Sequence, residues 1–245
     1  MMPSVTSRRA ARAAIIAAGL GERLQQGGIA QPKPLVPVGG RALIDHVLGG
    51  VAAAGIDEVA CIVNEIQHGV EEHCRRVWPG LRLEFVRRTT PSSMESLFAL
   101  APLLGREPFL LLTVDSIVAP SALSGFLDAA AGIPDAAGAL ALTRFVEDEK
   151  PLWAKPDPDG RLIALGPEAS DSGHVTAGFY CFDPVIFAEI DTARERRFTA
   201  FRHFLGHLLD QGYPLYGVPV AKTVDVDRPE DISIAEAFLA AGYRE

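Results

Sequence analysis

Gly19 and Gly21 frame a short loop, Arg23 follows two positions later, and Lys33 stands between Pro32 and Pro34. Proline fixes φ and stiffens the backbone, so Lys33 is held rather than left waving in solvent. Glycine amides, a guanidinium and a pinned ammonium together suit a polyphosphate; alone, the same residues fit a tight turn with incidental surface charge. The carboxylates come next. Asp115 ends the most apolar run of the chain, Phe109 to Val114, where a carboxylate is costly unless paired or metal-bound. Asp225 and Asp227 lie in V-D-V-D-R-P-E-D, and alternation in an extended segment points both the same way, so either can face a metal. Magnesium takes oxygen ligands, usually one or two carboxylates with water and phosphate completing the shell. Asp227 equally fits as N-cap of the last helix, with Arg228 and Pro229 behind it.

Other chemistries fit less well. The glycine loop has Leu24 where a dinucleotide fingerprint needs its third glycine, and it lacks the G-K-[ST] ending of a P-loop. His203 and His207 are spaced i, i+4, but no acidic third zinc ligand sits beside them, and they read as a helix-surface pair. Ser92 and Ser93 lack the G-x-S-x-G context of a hydrolase nucleophile.

The elements that must position these groups alternate. Strands are expected at 14–18, 59–63, 83–86 and 109–114, with helices at 43–54, 70–77 and 96–104 between them, from apolar runs and helical spacing. A helix at 122–131 and a strand at 137–144 follow. Pro156-Asp157-Pro158-Asp159-Gly160 marks a hairpin turn between 152–155 and 161–164. A strand at 176–182, a helix at 201–211, a strand at 215–220 and a helix at 232–241 complete the pattern. Such alternation implies a single α/β domain over 13–245 after a tail of residues 1–12, a Rossmann-like three-layer sandwich with a mostly parallel mixed sheet. Sites in such sheets lie at the carboxyl ends of strands, where the glycine loop, Asp115 and the Asp225/Asp227 segment fall.

Composition narrows the partners. With 245 residues, 48% of them hydrophobic, and a net charge of −8, the chain reads as soluble and globular. Nucleic-acid and membrane-surface binding need broad basic faces and are not expected. Met1 to Arg12 holds three arginines, but the apolar stretch after it is too short for a secretory segment and no cleavage site follows. The three cysteines share no ligand spacing and read as buried thiols of a reducing compartment, which with the absence of a membrane span gives a cytoplasmic expectation.

The stretches A-I-I-A-A-G-L-G-E-R-L and P-K-P-L-V-P-V-G-G-R-A-L-I-D-H-V-L resemble the signature of the sugar-1-phosphate and alcohol-phosphate nucleotidyltransferases. The resemblance continues at L-L-L-T-V-D, ending on Asp115, at T-A-G-F-Y (Thr176 to Tyr180) and at V-D-V-D-R-P-E-D. It implies the glycosyltransferase-A-like fold of that family, nucleotide binding by Ala17, Ala18, Gly19, Leu20 and Gly21, and catalytic charge neutralisation by Arg23 and Lys33. It also implies a magnesium ion on Asp115 and on Asp225, with Asp227 the other choice. Lys155 is implied to grip the phosphate of the acceptor, with Trp153 walling its pocket and Gly178 letting the backbone approach. Where many relatives carry G-T-A-G-A-L, this chain has S-S-M-E-S-L, more similar to phosphocholine- and inositol-phosphate-type cytidylyltransferases. Ser93, Glu95 and Ser96 are therefore expected at the nucleotide, and polar Glu95 would suit the amino group of cytosine. A capping box from Ser92 or Ser93 to Glu95 explains the same residues structurally.

The resemblance thus implies transfer of an NMP group from an NTP, CTP foremost, to a phosphorylated acceptor, with release of pyrophosphate. A phosphate monoester is already mostly dianionic at neutral pH, so no strong base is required. A UTP- or GTP-dependent sugar-phosphate enzyme is the alternative within the class. A non-catalytic nucleotide-binding subunit is the alternative outside it, and homo-oligomerisation is left open.

Overall fold

The computed structural model describes residues 9–145 and 151–243. Strand β1 (Arg12–Ala17) leads through the glycine loop into helix α1 (Glu22–Gln26) and a 3-10 turn, Lys33–Leu35. Strands β2 (Pro37–Val38) and β3 (Arg41–Ala42) form a hairpin across Gly39 and Gly40, both at positive φ, as its two-residue turn requires. Then come α2 (Leu43–Ala53), β4 (Glu58–Val63), α3 (Val70–Val77), β5 (Arg82–Arg87) and α4 (Ser93–Leu100). They are followed by β6 (Phe109–Thr113), β7 (Ser116–Ile117), α5 (Pro120–Ala131) and β8 (Gly138–Thr143). The antiparallel hairpin β9 (Ala154–Pro156) and β10 (Leu162–Leu165) precedes β11 (Val175–Phe182), α6 (Ile190–Glu195) and α7 (Phe201–Asp210). Strands β12 (Leu215–Pro219) and β13 (Val224–Asp225) lead to α8 (Pro229–Ala240).

The central sheet has seven strands in the order β12-β8-β11-β6-β1-β4-β5. Only β11 runs against its neighbours; β6, β1, β4 and β5 pair in parallel, as do β8 and β12. Alternate residues of β1 feed opposite faces. Ala13 and Ile15 join the core under α2, α3 and α5, while Ala14 and Ile16 join the core under α4 and α7. The expected three-layer α/β sandwich is therefore present. Its sheet begins at Arg12, which is ion-paired with Glu58.

A third, smaller core matters most for the site. Leu24 of α1, Val36 and Val38 of the lysine segment, Ile117 of β7, Val224 and Val226 around β13, and Phe238 of α8 pack together. Three stretches remote in sequence are thereby fixed against one another at the carboxyl edge of the sheet. Each buried aliphatic or aromatic side chain there contributes roughly 1.5–3 kcal/mol of transfer free energy.

Candidate active site

Parallel β6, β1, β4 and β5 deliver Asp115, Gly19, Asn64 and Thr89–Thr90 to one edge, because each follows the carboxyl end of its strand. Gly21 takes φ +68°, and a Cβ there would come within 2.9 Å of Lys33 Cβ, so only glycine lets the loop lie against the lysine. Asn64 Nδ2 donates to Ala18 O at 3.0 Å and Gln67 Nε2 to Leu20 O at 3.0 Å, tying the loop to the end of β4.

Lys33 is buried, and its Nζ lies 2.6 Å from Asp115 Oδ2 and 2.5 Å from Asp227 Oδ1. Arg23 reaches the other oxygen of Asp227 at 3.3 Å. Burial alone would lower the Lys33 pKa, but the two carboxylates outweigh it and hold the ammonium above its ordinary value. Burial would raise the Asp115 carboxyl; the charge and hydrogen bond of Lys33, with a further bond from Thr113, bring it below its usual range.

Asp225 arrives differently. Strand β13 pairs antiparallel with β7, setting Asp225 opposite Ser116, whose hydroxyl donates to its carboxylate, while Val226 N donates to Asp115 O at 3.0 Å. Surrounding protein, then the negative charge of Asp115, push the Asp225 carboxyl up to about 7. Its surface nonetheless opens onto the cleft, where solvent moderates that effect. Crowded carboxylates of this kind call for a cation, and Mg2+ needs only one or two of them beside phosphate oxygens. No group of three or more His, Cys, Asp or Glu side chains fit to hold a metal occurs among the described residues.

Two cavities adjoin along this edge. One of about 360 Å³ is lined by the glycine loop, Lys33, Asn64, Thr89 and Thr90. The other, about 760 Å³, is lined by Ser93, Gly178, Arg202 and Asp225, among others. Arg23 and Asp227 line both, at the boundary. Gly178, at φ +79°, lies where β11 loses register with β8, and a Cβ there would strike the Ser116 hydroxyl.

Ala18, Gly19, Leu20, Gly21, Arg23, Lys33, Asp115, Asp225, Asp227, Ser93 and Gly178 are thus brought together, with Ala17 ending β1 just beneath the loop. Several expected positions differ. Helix α4 starts at Ser93, with Ser92 as its cap accepting from Glu95 N at 3.3 Å. The Glu95 carboxylate does not complete the capping box and lines neither cavity; it binds Arg194 at 2.9 Å. Ser96 is buried and hydrogen-bonds the Thr90 hydroxyl at 2.6 Å, so it braces the cavity wall from behind. Lys155 lies outside both cavities with its ammonium 2.6 Å from Asp171, because the β9–β10 hairpin turns it toward that neighbour. Leu152, not Trp153, faces the larger cavity. Asp227 does not cap α8; Asp231 accepts from the amides of Asp227 and Arg228, which frees Asp227 for Lys33. His207 is not on a helix surface but buried, 2.7 Å from Glu189. Asn64, Thr89, Thr90 and Arg202 went unread in the sequence; Asn64 alone left a signal, a polar residue closing an apolar strand.

A glycine loop, a buried lysine and convergent aspartates thus meet at the carboxyl edge of a mixed α/β sheet. The chain belongs to the MobA-like NTP transferase domain family, which matches residues 13–197. It is similar to the CMP-5'-(3-aminopropyl)phosphonate synthase of Streptomyces rubellomurinus, 29% identical over 84% of this chain and 33% of that protein. It is also similar to the bifunctional IPC transferase and DIPP synthase of Rubrobacter xylanophilus, 25% identical over 96% of this chain and 53% of that one. The chain therefore spans about a third to a half of these relatives. Among solved structures, the inositol-1-phosphate CTP transferase from T. maritima superposes with a TM-score of 0.79 at 17% identity, covering 98% of this chain and all of that one, a likeness of fold. Among the described residues no helix is long and apolar enough to cross a membrane.

Proposed function

We propose that the protein is a cytoplasmic nucleotidyltransferase that moves an NMP group from an NTP, CTP by preference, to a small phosphate- or phosphonate-bearing acceptor. The observation that carries this reading is the pair of adjoining cavities sharing Arg23 and Asp227. The smaller would hold the nucleotide, with Lys33 and Arg23 answering the charge of the triphosphate. The larger would hold the acceptor. An acceptor oxygen attacks the α-phosphorus, the bond from that phosphorus to the bridging oxygen breaks, and pyrophosphate leaves with the electron pair. Asp115 and Asp225 would hold a divalent cation such as Mg2+, which when bound adds positive charge to the phosphate oxygens. The chain itself contributes positioning and charge cancellation, the main needs of phosphoryl transfer.

CTP is favoured by the likeness to relatives named for CMP and CTP chemistry. Glu95 gives no support for it, being held by Arg194. Pyrophosphate release from each of the four NTPs with pooled phosphate and phosphonate acceptors tests the proposal. CTP is expected to exceed UTP by at least ~10-fold in kcat/KM, the scale of one well-placed hydrogen bond. Release from no NTP would sink the transfer reading, and equal use of CTP and UTP would sink the base preference.

A further inference from the structure

Two carbonyls of the glycine loop are gripped by side chains from far along the chain. Ala18 O accepts from Asn64 Nδ2 at 3.0 Å. Leu20 O accepts from Gln67 Nε2 at 3.0 Å and from Gln25 Nε2 at 2.8 Å. Asn64 is itself fixed, being buried, with its Oδ1 accepting from Ile66 N at 3.1 Å and from Thr89 Oγ1 at 3.3 Å. Gln67 Oε1 is buried with no hydrogen-bond partner among the described residues. That amide gives up one bond in order to make the one to Leu20 O, and a buried polar atom left alone calls for a reason. The N–H groups of Gly19, Leu20 and Gly21 have no hydrogen-bond partner among the described residues either, and all three residues line the smaller cavity.

In a planar trans peptide the C=O of one residue and the N–H of the next point in opposite directions. Holding Ala18 O therefore sets the direction of Gly19 N–H, and holding Leu20 O sets that of Gly21 N–H. Both are turned away from Asn64 and Gln67. Glycine accepts either sign of φ, so the residues that allow this loop to form also allow its peptides to flip. A flipped peptide would offer an anion the negative end of a carbonyl in place of an amide donor. From this geometry we infer that Asn64 and Gln67 are positioning residues for polyphosphate: they lock the Ala18–Gly19 and Leu20–Gly21 peptides with their N–H groups directed at phosphate oxygens. The inference rests on the transferase reading for what fills the smaller cavity; the direction of the amides follows from the hydrogen bonds themselves.

Neutral substitutions test it without adding charge. Asn64→Leu releases Ala18 O, and the double variant Gln25→Met with Gln67→Met releases Leu20 O. The double variant also removes the buried unpaired oxygen, so it is expected to fold even if Asn64→Leu does not, as circular dichroism checks. Calorimetry on the full chain with Mg2+ measures binding of inorganic pyrophosphate, of the α,β-methylene analogue of whichever NTP the parent binds best, and of the matching NMP. Affinity for pyrophosphate and for the triphosphate analogue is expected to fall at least ~10-fold, the scale of a hydrogen bond to a charged group. The ratio of triphosphate to monophosphate affinity is expected to fall at least ~5-fold, since the longer anion draws on more of the loop amides. A loop that is merely loosened weakens both nucleotides alike, so an unchanged ratio in the folded variants overturns the inference, as does parent-level binding of pyrophosphate. Pyrophosphate release from unmodified NTPs with pooled phosphate and phosphonate acceptors is then followed in the parent. The expected losses of binding without any release leave the inference standing and remove the transferase reading; release with unchanged binding ratios does the reverse. A parent that binds none of the three probes overturns both.

Discussion

Lys33 and Asp227 stand 194 positions apart in the chain and meet at 2.5 Å. The same ammonium lies 2.6 Å from Asp115, so one buried positive charge joins the start of the chain, its middle and its end. Removing that charge takes from Asp115 its ion-pair partner and leaves Asp227 with Arg23. Lys33→Ala is expected to raise KM for the NTP at least ~10-fold and to lower kcat. It is also expected to tighten Mg2+ binding in the absence of nucleotide, because the ammonium no longer competes for the carboxylates. Steady-state kinetics and a metal titration check both, and unchanged values in both would remove Lys33 from the nucleotide site.

Asp115 is the other end of that contact. Asp115→Asn keeps the shape and a hydrogen-bond acceptor but removes the charge, so the fold is expected to persist by circular dichroism. Turnover is expected to fall by at least ~10²-fold, the scale on which an electrostatic clamp contributes. Normal turnover with ordinary metal dependence would show that Asp115 serves only to neutralise Lys33.

The acceptor side separates two basic residues. Lys155 is paired with Asp171 outside the cavity, whereas Arg202 lines it. Lys155→Ala is expected to leave KM for the acceptor within about 2-fold of the parent, since an exposed ion pair contributes little. Arg202→Ala is expected to raise it at least ~10-fold, by loss of a charge-assisted hydrogen bond to the anionic head. The reverse pattern would restore Lys155 to the acceptor.

Gly178→Ala tests the bulge. The position has φ +79°, and the added methyl group meets the Ser116 hydroxyl that Asp225 accepts from. A loss of roughly 2 kcal/mol in unfolding free energy is expected, from backbone strain and the clash together. Denaturant titration measures it, and a variant as stable as the parent would mean the bulge relaxes freely.

Acid stability should depend on Glu189. The hydrogen bond from buried His207, acting against burial and aided by Tyr213, holds the Glu189 carboxyl below its usual range. A lowered carboxyl pKa stabilises the fold above the unfolded value, about 4.3, and that contribution disappears as pH falls through the folded value. Below about pH 4.3 the Tm of the parent is therefore expected to drop more steeply than that of Glu189→Gln. Parallel curves for the two proteins would contradict this.

The sequence made most of the fold legible because its strands and helices are long enough to show a period. Val70–Val77 matches its expected bounds, and most other ends moved by a few residues, since caps and frayed turns carry weak patterns. Strands β7 and β13, two residues each, show no period at all, yet they set Asp225 beside Asp115. The reversed direction of β11 was equally hidden, because alternation is the same in either direction. At the site, residues that touch phosphate-type loops announced themselves through glycine and proline. Glu95, Lys155 and His207 did not, because Arg194, Asp171 and Glu189 become their partners only after folding brings them close.

The small third core has a consequence for synthesis. A ribosome releases the chain in sequence order, and β1, β4, β5 and β6 can pair before the segment around Val224 to Asp227 has emerged. Until then Lys33 has only Asp115 as its partner, and the groove beside Leu24 and Ile117 lacks Val226 and Phe238. The segment around Val224 to Asp227 thus closes this edge of the sheet after the strands it covers, so a nascent chain stalled before it holds the sheet with an unfinished cleft.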